Sequence, residues 1–272
     1  MTRLHVVAPT RAPERAVLPA FVTDVRPPGR EPEHRAVGRA AELGGLAGVV
    51  VPFDPGGHDA LVLTAALLRD TRRVQVTAEF HPAIATPVYA AKLSASLQRY
   101  TGGRLAWSLA VDLDPRVARA QGDFLDGTAR HARADEFLTI AKGVWNEGPF
   151  TYEGEHFQVL EGGFPGSRVP RPFPRVYLSG TSPEALALSA QHADAHLIGP
   201  GDDPALVPDG VAVALRLPID ARDETALAEE IARREREGVS EVFLEPAATP
   251  STAYWLAQRV LPLLQKESEG VG

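Results

Sequence analysis

Polar residues that fall on the inward beat of apolar segments are the first candidates for chemistry in this sequence. Along Val74–His81, the set Gln75, Thr77, Glu79 and His81 alternates with Val74, Val76, Ala78 and Phe80, so an extended chain gathers every polar group on one face. Along Val211–Pro218, the set Ala212, Ala214, Arg216 and Pro218 alternates with the bulkier Val211, Val213, Leu215 and Leu217. A carboxylate turned into an interior must be paired, or its pKa climbs. Glu79 and Arg216 are therefore read as partners in a structural bridge. A third segment places Ser108 and Asp112 on one face with Ala106 and Ala110.

Ser179-Gly180-Thr181-Ser182 closes another apolar run and opens a helical pattern starting at Pro183-Glu184. Backbone N–H groups at the positive end of a helix make a phosphate cradle, and Gly180 permits close approach. The same residues also read as an ordinary helix start, with Thr181 and Glu184 as a capping box and Pro183 in the first turn. His58 and His81 are candidates for a site rim, although a lone histidine reads equally well as a solvated loop residue. The chain has no cysteine, which excludes disulfides, thiolate metal ligands and a cysteine nucleophile. A metal centre built from Glu79, His81, His58 and Asp112 lacks the tight spacing, such as His-x-His, that such sites show. No metal is expected.

These residues need a scaffold that brings distant segments together. Eight β-like apolar runs recur, at Leu4–Ala8, Ala47–Val51, Val74–Phe80, Leu105–Val111, Arg175–Ser179, Ala195–Ile198, Val211–Leu217 and Glu241–Leu244. Helical patterns separate most of them, at Pro32–Leu43, Asp59–Arg69, Thr86–Tyr100, Thr128–Trp145, Pro183–His192, Glu224–Glu237 and Ser251–Gln265. Strands nearly continuous in Val, Leu and Ala, alternating with helices, predict a parallel sheet covered on its outside. Eight such units in 272 residues, 44% of them hydrophobic, predict an α/β fold with one (β/α)8 TIM barrel as a single domain over residues 1–272. Two departures are expected. Residues 146–174 read as a β-hairpin insertion after the fourth helix, around Glu153-Gly154-Glu155, followed by a stretch rich in Pro165, Pro170, Pro172 and Pro174. Gly199–Gly210, between the sixth and seventh strands, is too short for a full crossover helix, so a stub or another subunit must cover the wall there.

A net charge of −7, spread along the chain, gives no electrostatic reason for nucleic-acid or membrane binding. No apolar run approaches a membrane span and the first residues do not form a signal peptide, so a cytoplasmic protein is expected.

Several stretches resemble luciferase-like flavin-dependent monooxygenases of the alkanesulfonate monooxygenase type. They are Asp59–Arg73, Thr86–Arg104, Gly122-Asp-Phe-Leu-Asp with Arg130 and Asp135-Glu-Phe137, then Phe150-Thr-Tyr-Glu-Gly-Glu-His-Phe157, Pro172–Ser182 and Ala190-Gln-His-Ala-Asp-Ala195. Their order and distances carry the likeness, which covers roughly residues 30 to 266. The resemblance implies reduced flavin mononucleotide (FMN) supplied by a separate flavin reductase, O2, a small-molecule substrate, and a site at the C-terminal ends of the strands. It implies an active-site role for Arg216, to which Glu79 and His81 are added as catalytic candidates by their inward positions, although the family has small apolar side chains where a Glu79–Arg216 bridge would sit. Cofactor contacts are implied at Ser108, His131 and Ser179–Ser182, with Phe53, His58 and Asp112 on the substrate rim. A homodimer, or a heterodimer with a related barrel, is also implied.

The sequence departs from that family at cofactor positions. Ser108 stands for asparagine, Val111-Asp112 for threonine-glycine, Gly127 and His131 for a histidine and a tyrosine, Pro218 for a histidine and Gly57 for a cysteine. A tyrosine position falls on Pro246 or Ala247, and a long segment after the seventh strand is missing. A non-catalytic or cofactor-free relative, acting as a partner or binding subunit, therefore stands as the alternative to a monooxygenase.

Overall fold

A computed structural model describes residues 2–11, 33–146, 149–164, 172–219 and 223–270. Pro165 and Pro170 of the Pro-rich stretch, and Pro32 at the expected first helix start, lie outside the described residues.

The chain alternates β1 (Arg3–Val7), α1 (Glu33–Gly44), β2 (Gly48–Val51), α2 (Ala60–Asp70), β3 (Gln75–Phe80), α3 (Pro87–Thr101) and β4 (Leu105–Leu109). Then come α4 (Pro115–Ala120), α5 (Gly127–Asn146), β5 (Phe150–Glu153), β6 (Gln158–Gly162), β7 (Arg175–Ser179), α6 (Pro183–His192) and β8 (Ala195–Ile198). The last part holds β9 (Ala212–Pro218), α7 (Glu224–Arg236), β10 (Val239–Glu245), α8 (Pro250–Trp255) and α9 (Leu261–Gly270). Eight strands close a parallel barrel in the order β1-β10-β9-β8-β7-β4-β3-β2, while β5 and β6 form a separate antiparallel hairpin. This is the expected (β/α)8 architecture.

Three details differ from the periodicity. The final helix is interrupted by a π-helical turn at Leu256–Val260. The fourth strand leaves its ladder at Leu109 rather than Val111. Helix α4 was not expected, because six residues are too few to reveal a period. Its start is set by Pro115 and by Asp114, whose carboxylate accepts from the N–H groups of Arg116 and Val117. Between β8 and β9 the connection holds only a 3₁₀ turn, Pro204–Leu206, in keeping with the short wall expected there.

The outward faces of the strands pack on the helices. Trp107 and Phe80 meet edge to face at 5.2 Å between ring centres, and Phe137 of α5 lies 6.1 Å from Trp107. Each such fully buried ring contributes about 2–3 kcal/mol. The hairpin is tied to the same helix through the buried Glu136, whose carboxylate accepts from Glu155, His156 and Phe157 N–H at 2.7–3.0 Å. No helix among the described residues is long and apolar enough to cross a membrane.

The barrel interior has a polar floor, an apolar waist and a polar mouth. The waist is Val50, Ala106, Ala195, Leu197, Ala214 and Phe243. Below it, buried Glu241 takes a 2.6 Å hydrogen bond from the Tyr177 hydroxyl and lies 3.0 Å from His5 Nε2 and 2.8 Å from Arg175. Gly48 faces this floor because a methyl there would collide with the His5 ring. Burial works to raise the Glu241 pKa, but the His5 and Tyr177 hydrogen bonds and the Arg175 charge outweigh it, setting it at about 2.

Glu241→Gln should therefore lower stability by about 3 kcal/mol at neutral pH, since it leaves Arg175 without its buried counter-ion. The folded-state pKa of Glu241, about 2, lies below its ordinary 4.5, so the stabilisation is complete above about pH 4.5 and lost as pH falls towards 2. Urea unfolding at pH 7 and pH 3 should show the gap between wild type and variant closing on acidification. Equal midpoints at pH 7 would remove Glu241 as an anchor of the floor.

Candidate functional site

All eight barrel strands are parallel, so their C-terminal ends open on one face. Alternation along β3 and β9 carries Glu79 and Arg216 inward to that mouth, as the sequence pattern predicts. One guanidinium nitrogen of Arg216 makes a short bond to Glu79 Oε1, and the other lies 2.7 Å from Glu245 Oε1. Glu79 is satisfied further by the Phe53 N–H at 3.1 Å and the Ser108 hydroxyl at 3.4 Å. Burial opposes the Arg216 charge, and the two carboxylates more than offset it, so its pKa stands above the ordinary value. The side chains of Arg216 and Glu79 are 28% and 12% exposed, against 38% for Glu245, which makes Glu245 the looser partner. Sequence reasoning missed Glu245 because the apolar run ends at Leu244. The signal was present: Glu245 continues the inward beat of Glu241 and Phe243.

Beside this triad a cleft of about 400 Å³ opens between the ends of β1, β2, β9 and β10, lined by Val7, Ala8, Pro52, Pro218, Glu245 and Pro246. Its outer wall is fixed by Asp54, which accepts from Thr10 at 2.6 Å and from Arg11 at 2.6 and 2.7 Å. Arg11 holds the Asp54 carboxyl well below the usual range. A larger groove of about 630 Å³ lies away from the mouth, between the β8–β9 connection and α7. Its charged lining, Asp202, Asp203, Arg233, Arg234 and Glu237, is that of a solvated surface groove, and no inward strand residue points there. Among the described residues, no cluster of three or more metal-ligating side chains occurs.

The expectation of a rim position for His81 is corrected. Its ring is fully buried, with Nδ1 donating to the Ala110 carbonyl at 2.7 Å. Nε2 lies 2.8 Å from Asp123 and 3.2 Å from Arg133. Arg133 grips both oxygens of Asp123 at 2.8 Å and holds that carboxyl well below its ordinary range. His81 leaves the mouth because β3 ends at Phe80, after which the alternation no longer governs direction. Arg130 locks the same loop by donating to the Leu125 and Leu113 carbonyls at 2.7 Å. Asp123 and Arg133 were not singled out as site residues, since they lie in a loop and a helix with no shared period. His58 is exposed and apart from the triad, its N–H held by the Thr10 carbonyl at 3.0 Å.

At the ends of β4 and β7 a second group converges. The N-cap of α6 is Ser182, whose hydroxyl accepts from Ala185 N–H, so the expected Thr181–Glu184 capping box is displaced by one residue and does not form. Gly180 has φ +112, and a Cβ built there would lie 2.9 Å from Ala185 Cβ and 3.3 Å from Asp112 Oδ2. Asp112 Oδ2 also lies 3.4 Å from Nε2 of the buried His131. Thus Asp112, His131 and the backbone at Ser179–Ser182 form one cluster, and Phe53, Glu79, Ser108, Arg216 and Glu245 form another.

The Luciferase-like monooxygenase family model matches residues 2–237. Among solved structures, EDTA monooxygenase from Chelativorans sp. BNC1 is 15% identical with a TM-score of 0.71, covering 86% of each chain. A riboflavin lyase, with modified FMN and substrate riboflavin, is 14% identical with a TM-score of 0.77, covering 98% of this chain and 92% of that one. An F420-dependent secondary alcohol dehydrogenase, in complex with an F420–acetone adduct, is 14% identical with a TM-score of 0.75, covering 97% and 99%. At these identities the likeness carries the fold.

The triad generates its own test. Arg216→Met leaves the Glu79 carboxylate without its charge partner and should cost about 3 kcal/mol of stability. Glu245→Gln should cost under about 1 kcal/mol, because that carboxylate is more exposed and better solvated. Combining Arg216→Met with Glu79→Gln should recover part of the loss, read as a coupling energy by denaturant unfolding. Additive single effects would show that the pair is not coupled.

Proposed function

We propose, starting from the fact that this chain belongs to the luciferase-like monooxygenase family, that it uses a reduced flavin and O2 to oxidise a small organic substrate at the barrel mouth. The observation that carries this reading is the bond of Arg216 to Glu245 at 2.7 Å, with Glu245 on the wall of a cleft whose volume of about 400 Å³ lies within the ordinary range for small-molecule sites. The order of sequence motifs supports the alkanesulfonate monooxygenase type within the family.

The residues present fit the ring portion of such a cofactor. Val7, Ala8, Pro52 and Pro218 give the cleft an apolar wall, and Glu245 stands on its inner edge. At the other side His131, Gly180 and Thr181 would hold the tail. FMN, delivered reduced by a separate reductase, is the cofactor to which the family resemblance points. When bound, a reduced flavin supplies the electrons that activate dioxygen.

This chain's own residues do the positioning. Arg216 is a fixed positive group that stabilises negative charge at the mouth, on the substrate or developing during reaction. Glu79 holds it at one end, and Glu245, the more exposed partner, is the one an anionic substrate displaces. His81 and Asp123 act as positioning residues: they anchor the loop after β4 beneath the mouth. The short wall between β8 and β9 supports pairing with a second copy or with a related barrel. A cofactor delivered by a reductase is in keeping with the cytoplasm.

A second reading, a non-catalytic barrel serving as a partner or binding subunit, is favoured by the same triad, which neutralises Arg216 and occupies part of the mouth. Flavin binding separates the two. Under anaerobic conditions the purified chain should bind reduced flavin saturably, at about one per chain, with Arg216→Met weakening or misplacing it. Equilibrium dialysis with oxidised and reduced flavins that returns no binding in either state would leave only the non-catalytic reading.

A further inference from the structure

Resting on the flavin reading above, we propose that the tail site around Gly180 selects a flavin without a phosphate, whose side chain is a neutral polyol, over the phosphorylated form. A negative group already stands beside the turn that starts α6. Asp112 Oδ2 stands 3.3 Å from where a Gly180 Cβ would be, against the backbone that would otherwise cradle a phosphate. A carboxylate beside the helix start repels a second anion at the same spot.

The hydrogen-bonding chemistry of the cluster points the same way. His131 is 7% exposed, and its Nδ1 donates to the Gly127 carbonyl at 3.2 Å. Its Nε2 is buried, makes no hydrogen bond, and has Asp112 Oδ2 at 3.4 Å. Asp112 presents carboxylate oxygens, which only accept. Polyol hydroxyls donate to such groups and also accept from backbone N–H. A phosphate dianion offers only acceptors, so it does not pair with Asp112.

The test is a comparison of riboflavin and FMN binding to the full chain, oxidised and reduced, by equilibrium dialysis. Riboflavin should bind at least about tenfold more tightly than FMN. Raising salt from about 0.02 to about 0.5 M should tighten FMN binding, as like-charge repulsion is screened, and leave riboflavin nearly unaffected. Asp112→Asn should raise FMN affinity relative to riboflavin by about tenfold or more. FMN binding as tightly as riboflavin, or weakening with salt, overturns the proposal while the flavin reading stands. An unchanged ratio in folded Asp112→Asn also overturns it. Binding of neither flavin to wild type removes both the proposal and the flavin reading. The salt series uses wild type alone, so a variant that fails to fold leaves the question decidable.

Discussion

Charge enclosed by a closed parallel barrel has nowhere to go except to another charge, and this constraint organises the molecule. Inward positions alternate along every strand, so each ionisable residue on that beat is held by the opposite wall. Glu241 meets Tyr177, His5 and Arg175 at the floor, and Glu79 meets Arg216 at the mouth. Between them the waist of Val50, Ala106, Leu197, Ala214 and Phe243 is apolar and keeps the two charge systems apart. The strands of each system come from distant parts of the sequence, so these bonds hold the closed cylinder across its diameter.

Floor and mouth differ in what their charges do. At the floor Glu241 is almost fully enclosed among Tyr177, His5 and Arg175, which makes it a structural fastening. At the mouth Arg216 lies between an enclosed carboxylate and a more exposed one. That asymmetry gives the guanidinium a fixed attachment and an exchangeable one beside an apolar cleft. The outer ring of loops supports this arrangement: Asp123 draws Arg133 and His81 together beneath it, and Asp54 ties Thr10 to Arg11 at its edge. Across the opening, the Asp112 carboxylate sets negative charge beside the Gly180 turn.

Much of this was legible in the residues, because a two-residue period is a local property. The repeating strand and helix patterns determined the barrel, the hairpin around Gly154 and the thin wall after β8. The alternation in Val74–Phe80 and Val211–Leu217 determined that Glu79 and Arg216 face inward, and the cost of an unpaired buried charge determined that they meet. The order of motifs determined the family. Tertiary structure alone decided where alternation stops. His81 lies one residue past the end of β3 and turns away to Asp123, while β10 runs one residue further than its apolar run and brings Glu245 to Arg216. The cap of α6 fell to Ser182 rather than Thr181 because the helix start depends on local backbone geometry that composition does not fix. Asp112 was visible as an inward polar residue, but its approach to both Gly180 and His131 joins the ends of two strands to a helix, a relation set by barrel closure and carried by no spacing in the chain.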